Sequence, residues 1–327
     1  MATKLQQVIA LANGNRRTQA FELDNLPVID GVIARLDPVE AARFNTAMAD
    51  WKLRFEVRLN ELLSIPEQFT SIFNGIEYRQ LGNGQHLVRV NLAAEGISFA
   101  ITGPGGTRDT VKQTTKDFLD SQQAQLAINC HFFLPTTSDV NANIVGFGAS
   151  AGTILSPFEP QPVAAGFPDQ SYAIIPFAPA LNLSAENTPS IIYQGSESSA
   201  FNAVSGSAQI ITEGSKTIPE YGTGELNELE GFSDSFSWYK HEVRGRNCIG
   251  FTNDRQTLII LVIDDDPGST VEAAADTMLE LGAYNALNLD GGTSAALAIR
   301  DASGSRYLND ATNRAVGSNL AIFANAI

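Results

Sequence analysis

Asp290 is the carboxylate whose surroundings in the chain best suit chemistry. The apolar run Asn285-Ala-Leu-Asn-Leu289 delivers it into Gly291-Gly292-Thr293-Ser294, and a second apolar run, Ala295 to Ile299, follows. Both runs read as strands, which puts the carboxyl at a strand end beside glycines that let backbone approach a ligand closely. The same Asp-Gly-Gly also suits a plain hairpin turn, because it tolerates positive φ. Asp264 ends another apolar run, Thr257 to Ile263, and is followed by Asp265 and Asp266. Three acids ahead of a helix also serve as solvated charges that favour its N-terminus. Oxygen-rich loops such as 264–266, or Asp290 itself, suit a divalent cation, calcium or magnesium, although no cofactor is required. His131, in Ala127-Ile-Asn-Cys-His-Phe-Phe133, can serve as acid, base or phosphate donor because imidazole changes charge near neutral pH. The alternative for His131 is a histidine satisfied inside the fold; His86 and His241 read as structural.

Strands and helices must hold these groups. His86 to Leu92 alternates and Ile97 to Thr102 is apolar, which predicts two strands joined by a glycine-containing turn. A helix around Thr110 to Asp120 then leads into a strand through Ala127. Residues 156–240 are rich in Pro, Ser, Asn and Gly around short apolar runs, Ser171 to Phe177 and Ala208 to Thr212, which predicts short strands with long loops. Ser269 with Glu272 forms a capping box for a helix whose Val271, Ala274, Ala275, Met278 and Leu281 share a face before Gly282 stops it. Further upstream, Asp37-Pro38 opens an amphipathic helix with Phe44, Met48, Trp51, Phe55, Leu59 and Leu62 on one face, closed by Ile65-Pro66. The expected organisation is a helical N-terminal extension, residues 1–74, packed on a domain of residues 75–327. The expected class is α+β, with a curved or partly closed mixed β-sheet and flanking helices.

Composition narrows the partners. The 327 residues are 43% hydrophobic, enough for a large core, and carry 21 basic against 36 acidic side chains, a net charge of −15. Such an acidic chain disfavours nucleic acid, whose phosphates are bound by clustered Lys and Arg, so a phosphorylated ligand must be met by a few local cations. No run approaches the roughly 18 apolar residues of a membrane span. The start, Met-Ala-Thr-Lys-Leu-Gln-Gln, lacks the pattern of a secretory signal, which leaves the compartment open. The two cysteines, Cys130 and Cys248, have no metal-ligand spacing and read as small buried residues, with a disulfide allowed if their strands are neighbours.

Several ordered segments then point in one direction. Arg246-Asn-Cys-Ile-Gly250, Thr257-Leu-Ile-Ile-Leu-Val-Ile-Asp264 and a helix running into Leu281-Gly-Ala-Tyr-Asn-Ala-Leu-Asn-Leu-Asp-Gly-Gly292 together resemble the phosphodiester glycosidase family. Ala127-Ile-Asn-Cys-His-Phe-Phe133, the glycine-rich Val145-Gly-Phe-Gly-Ala-Ser-Ala-Gly152 and Arg314-Ala-Val-Gly-Ser-Asn-Leu-Ala-Ile-Phe323 fall in the same order. The resemblance runs from about Gly75 to the end. Cys130 and His131 stand where the family usually has glycine or another small residue. On this parallel Gly146, Gly148 and Gly152 form a strand-turn-strand lining the pocket rather than a phosphate loop, which would need a following Lys-Ser/Thr pair.

The resemblance implies a hydrolase of carbohydrate metabolism that cleaves a sugar-1-phosphodiester, with a carbohydrate or glycosyl-phosphate as substrate and relatives that are often secreted or luminal. Cleavage at the anomeric carbon leaves the sugar oxocarbenium-like while the departing phosphate carries negative charge. A carboxylate near the sugar and an arginine near the phosphate are the minimum set. Asp290 is assigned the first role, with Asp264 as second carboxylate because the helix between them returns the chain and brings the two strand ends together. Arg246 and Arg314, each opening a matched segment, are assigned to the phosphate, which suits their planar fork. Asn129 is placed to meet sugar hydroxyls, and Gly291, Gly292, Thr293, Ser294 and Asn319 complete the expected binding surface. Two other functions fit the sequence: a glycosidase or transferase on the same scaffold with an unphosphorylated substrate, and a non-catalytic carbohydrate-binding module. Oligomeric state is not legible.

Overall fold

The computed structural model describes residues 68–82, 84–135, 139–158, 177–219 and 242–327. The amphipathic stripe from Phe44 to Leu62, the apolar run from Ser171 as far as Pro176, and His241 lie outside the described residues. Nearly all the described residues fall in one compact unit, Phe69–Arg79 with Gly84–Ile327, and the site discussed below belongs to it.

Among the described residues, twenty-three strands fall into three large sheets and two small ones. The first sheet has eight strands, ordered β1 (Thr70–Phe73), β2 (Ile76–Leu81), β3 (Gln85–Asn91), β18 (Thr257–Ile263), β17 (Arg246–Phe251), β19 (Asn285–Asn288), β15 (Ala208–Thr212) and β16 (Ser215–Lys216). A five-stranded sheet runs β21 (Gly304–Tyr307), β20 (Leu297–Asp301), β7 (Leu126–Asn129), β23 (Asn319–Phe323), β4 (Ser98–Ile101). The other five-stranded sheet runs β11 (Thr153–Ser156), β10 (Gly148–Ser150), β14 (Asn202–Ser205), β12 (Ala180–Leu183), β13 (Pro189–Ile192). Beside them β22 (Ala315–Val316) pairs with β6 (Gln113–Thr114), and β9 (Asn141–Ile144) lies between β5 (Thr110–Val111) and β8 (Phe133–Leu134).

The alternation of side chains along each strand explains the layering. Val88, Val90, Leu258, Ile260, Val262, Ile249 and Leu287 of the eight-stranded sheet share one core with Leu126, Ile128, Leu297, Ile299, Leu320 and Ile322 of the β7 sheet. Their strand neighbours Ile259, Leu261 and Ile263 face the other way and are buried too. That double burial is why Thr257 to Ile263 reads as an unbroken apolar run rather than an alternating one. On the far side of the β7 sheet, Ala127, Ala298 and Ala321 receive Phe118 and Leu119 of helix α1 (Thr115–Gln122). Small residues there let the helix approach, and each large side chain so buried contributes roughly 1.5–3 kcal/mol.

Helix α2 (Val271–Glu280) packs on β15, β17, β18 and β19 with Val271, Ala274, Ala275 and Met278 buried, as its sequence pattern requires. Its cap is Thr270, whose side chain accepts from the Ala273 N–H at 3.1 Å. Ser269, the residue expected to cap it, is engaged instead in a backbone bridge with Arg244.

Three expectations of the fold change. Among the described residues there are two α-helices, so the architecture is mostly β rather than a balance of helix and sheet. The strand pairs whose register is defined are antiparallel, not mixed, and the sheets are open rather than closed. The predicted pair of strands at 86–92 and 97–102 both form, but β3 and β4 are not a hairpin: β4 pairs with β23 in another sheet. No described helix is long and apolar enough to cross a membrane.

Candidate functional site

The segment carrying Asp290 is not a hairpin. β19 belongs to the eight-stranded sheet and β20 to the β7 sheet, so Asp290 lies on the crossing between two sheets, followed by a 3₁₀ turn at Gly292–Ser294. Its backbone is fixed from both ends. The Asp290 N–H donates to the Cys130 carbonyl at 2.8 Å, and its carbonyl accepts from Asn129 Nδ2 at 2.8 Å. With the backbone tied, the side chain is held by what remains: hydrogen bonds from Ser294 and from the Gly291 N–H, and the field of Arg314. Burial dominates, and it pushes the carboxyl up to about 7 against those three favourable influences, of which Ser294 is the largest.

The glycines of the turn are required by packing. A Cβ on Gly291 would sit 2.3 Å from the Gly245 carbonyl oxygen, and one on Gly245 would sit 2.6 Å from the Gly292 carbonyl oxygen. The two backbones touch there, and the Gly292 N–H donates to Gly245 O at 2.8 Å. Gly292 alone needs its left-handed conformation, φ +55°. This locks the turn against the start of β17.

Asn129 is the hub beneath the turn. It is fully buried; its Nδ2 holds Asp290, and its Oδ1 accepts from Asn247 Nδ2 at 3.0 Å and from the Ala296 N–H at 3.0 Å. Asn247 stands inside the matched segment Arg246 to Gly250, next to the arginine that attracts attention, and nothing local in the sequence marks it.

Asp264 and Asp290 do end strands at the same edge of the sheet, because β18 and β19 are both antiparallel to β17, which lies between them. Two strand spacings separate their backbones, about 10 Å. Asp264 is mostly engaged: Oδ1 accepts from the Asp310 N–H at 2.7 Å, and Oδ2 lies 3.4 Å from His86 Nε2, whose Nδ1 is 2.8 Å from the Tyr78 hydroxyl. Burial works to raise this carboxyl, but the bonds from His86, Asp310 and Asn309 outweigh it and leave Asp264 below its ordinary value. Asp265 turns to the Gly245 N–H at 2.7 Å. Among the described residues no three His, Cys, Asp or Glu side chains converge as a metal-ligand cluster.

His131 is wholly enclosed. Its Nε2 lies 3.0 Å from the Ser205 backbone nitrogen and 3.1 Å from the Phe147 carbonyl oxygen, and its Nδ1 lies 2.7 Å from Ser318 Oγ. Burial lowers it to about 4, so it is neutral at physiological pH. It fills the space opposite Gly148, where a Cβ would meet Nε2 at 3.1 Å. The glycine-rich segment forms the expected strand-turn-strand, β10 and β11.

The two arginines part company. Arg246 is fully buried, and its guanidinium donates to the backbone carbonyls of Ser269, at 2.8 Å, and Glu242. Arg314 is half-exposed; it donates to Thr293 Oγ1 at 2.9 Å, and its guanidinium lies 5.4 Å from the centre of the Phe133 ring. It acts on Asp290 through space without an ion pair. Lys112 Nζ lies on the same ring at 5.9 Å; a lone lysine between two-residue strands carries no sequence signal. Asn319 is buried away from this surface, accepting from Thr115 Oγ1 at 2.8 Å and pairing in register with Asn129. Cys130 and Cys248 are both free and buried. A cavity of about 510 Å³ lined by Glu77, Arg89, Asn91, Thr252 and Thr257 lies at the opposite end of β17 and β18 from Asp290.

Comparison with known proteins bears on this arrangement. The family model described as phosphodiester glycosidase matches residues 122–323, well over half of the chain. No curated protein matches the sequence. Among solved structures, a hypothetical protein from Synechocystis superposes with a TM-score of 0.53 at 14% identity, covering 79% of this chain. This chain spans 61% of that protein's length, and at such identity the likeness concerns the fold alone. The catalytic domain of zebrafish N-acetylglucosamine-1-phosphodiester alpha-N-acetylglucosaminidase, auto-inhibited by its pro-peptide, gives a TM-score of 0.49 at 16% identity, covering 78% of this chain and 81% of that one.

Proposed function

Because this chain belongs to the phosphodiester glycosidase family, we propose that it is a hydrolase that breaks the bond between the anomeric carbon of a sugar and a phosphodiester oxygen, with Asp290 at the sugar and Arg314 at the phosphate. The observation that carries this reading is the buried Asp290 carboxyl lying within the field of Arg314, whose guanidinium donates to Thr293 Oγ1 and forms no ion pair among the described residues. As the C–O bond breaks, the electron pair leaves with the phosphate and positive charge grows on the sugar. Ionised Asp290 stabilises that charge, and Arg314 neutralises the departing oxygens. Water then adds its hydroxyl to the anomeric carbon and releases a proton, giving the free sugar and a phosphomonoester. Asn129, Ser294 and Gly291 hold the carboxylate in place. Arg246, Asp264 and His131 act in this scheme by fixing the loops and strands around the turn, and no metal step is needed.

The test is product analysis on a panel of sugar-1-phosphodiesters beside uncharged aryl glycosides. Release of free sugar and phosphomonoester supports the proposal; turnover of aryl glycosides alone overturns it. The Asp290 carboxyl at about 7 also favours a second reading, since a glycosidase acting on a poor leaving group needs a carboxyl still protonated near neutrality. The pH profile separates the two. A charge-stabilising Asp290 must be ionised, so kcat/KM rises with pH through about 7; an acid must keep its proton, so kcat/KM falls through the same range.

Exchange of the two arginines for lysine gives a further expected outcome. Arg314→Lys keeps the charge but loses the fork, so it impairs a phosphodiester substrate about tenfold or more while sparing an aryl glycoside. Arg246→Lys strips donors from the buried carbonyls of Ser269 and Glu242, so it lowers the melting temperature and reduces both activities alike. Equal, selective losses for both variants in steady-state assays and melting curves would assign both arginines to the phosphate.

A further inference from the structure

We propose that Lys112 forms, with Arg314, a two-cation subsite across the Phe133 ring that binds the phosphate group and sets the preference for a charged aglycone. The inference rests on the reading of Arg314 given above. Phe133 is buried in a small cluster with Ala142 and Val316, so the ring is a fixed point that both cations approach. Lys112 Nζ and the Arg314 guanidinium lie 5.9 and 5.4 Å from its centre. Each is pinned by one neutral oxygen: Nζ by the Pro135 carbonyl at 3.1 Å, Arg314 by Thr293 Oγ1 at 2.9 Å. Neither forms an ion pair among the described residues. Arg108, the third cation of the neighbourhood, is already paired with Asp139 at 3.1 Å.

The electrostatics agree with an unfilled anion requirement. Burial lowers the Lys112 ammonium, Asp139 raises it, and the charges of Arg314 and Arg108 lower it further. Asp139, the carboxylate whose field reaches Lys112, is itself taken up by Arg108 and Asn141, so two cations held near one another are stabilised by a further anion that reaches both. A phosphodiester offers two non-bridging oxygens, one for the guanidinium fork and one for the ammonium as a point charge. The position also fits the sugar end, because the same Arg314 acts on Asp290.

Inorganic phosphate is the probe, titrated into the full-length protein by calorimetry and followed by thermal shift. Wild-type protein should bind it, and Lys112→Gln and Arg314→Gln should each weaken binding about tenfold to a hundredfold, the range expected for a hydrogen bond to a charged group. Lys112→Arg, which keeps the charge, should restore most of it. In steady state Lys112→Gln should lower kcat/KM for a sugar-1-phosphodiester by a similar factor and leave an aryl glycoside within about twofold. No phosphate binding by the wild type, or unchanged binding by Lys112→Gln, overturns the subsite. Should Lys112→Gln fail to fold, Lys112→Met, which keeps the length of the side chain without its charge, takes its place in the same titration, and unchanged phosphate binding by it overturns the subsite. Phosphate binding that depends on both cations without turnover of any sugar phosphodiester would instead leave the subsite standing and overturn the proposed reaction.

Discussion

Asp290→Asn is expected to give a folded protein that is more heat-resistant than the wild type at neutral pH and at least about a hundredfold slower. The two effects share one cause. In the fold the carboxyl sits at about 7 against an ordinary 3.8, because burial penalises its charged form. A raised carboxyl leaves stability untouched below the unfolded value, costs an increasing amount as pH climbs from about 4 to about 7, and costs a constant amount above that. A difference of that size corresponds to about 4 kcal/mol. Asn keeps the shape and can accept from Ser294 and the Gly291 N–H, so it escapes the cost and forfeits the charge. Melting curves of wild type and variant should therefore coincide near pH 4 and separate in the variant's favour above pH 7. Catalysis falls because the charge that burial makes expensive is the one the oxocarbenium-like sugar needs. A variant with wild-type turnover, or one that is less stable than wild type at pH 8, would refute this account of Asp290.

Asn129→Ala is expected to remove both stability and activity. Its amide bridges three segments: the carbonyl of Asp290, the Asn247 side chain, and the N–H of Ala296. Alanine leaves the Asp290 carbonyl and the Ala296 N–H without these partners in a dry interior, at roughly 1–3 kcal/mol each. For a domain of this size that is a drop in melting temperature on the order of 10 °C. Activity falls as well, because the backbone that aims Asp290 is released at one end. If Asn129 instead met sugar hydroxyls directly, the alanine variant would keep the wild-type melting temperature and lose only substrate affinity. Parallel thermal and Michaelis–Menten measurements separate the two outcomes.

Features that depend on neighbours along the chain were legible before any fold was known. The buried runs of β18 and β7, the apolar face of α2 and the glycine turn after β19 belong here, because side-chain periodicity and backbone preference are local properties. The family that the ordered segments suggested is likewise the one whose model matches. Features that depend on which strand meets which emerged only from the folded chain. Asp-Gly-Gly crosses between two sheets instead of closing a hairpin, because Leu297 to Ile299 find their partners on β7 rather than on β19. Arg246 and Arg314 look alike in sequence, but one guanidinium is enclosed with the carbonyls of Ser269 and Glu242 and the other stands beside a phenyl ring and a lysine from elsewhere in the chain. His131, Asn129 and Asn319 read as offered to a ligand and are found satisfied inside the fold. A buried polar group is recognised by partners distant in sequence, 161 residues for Asn129 and Asp290, and no local pattern carries that information.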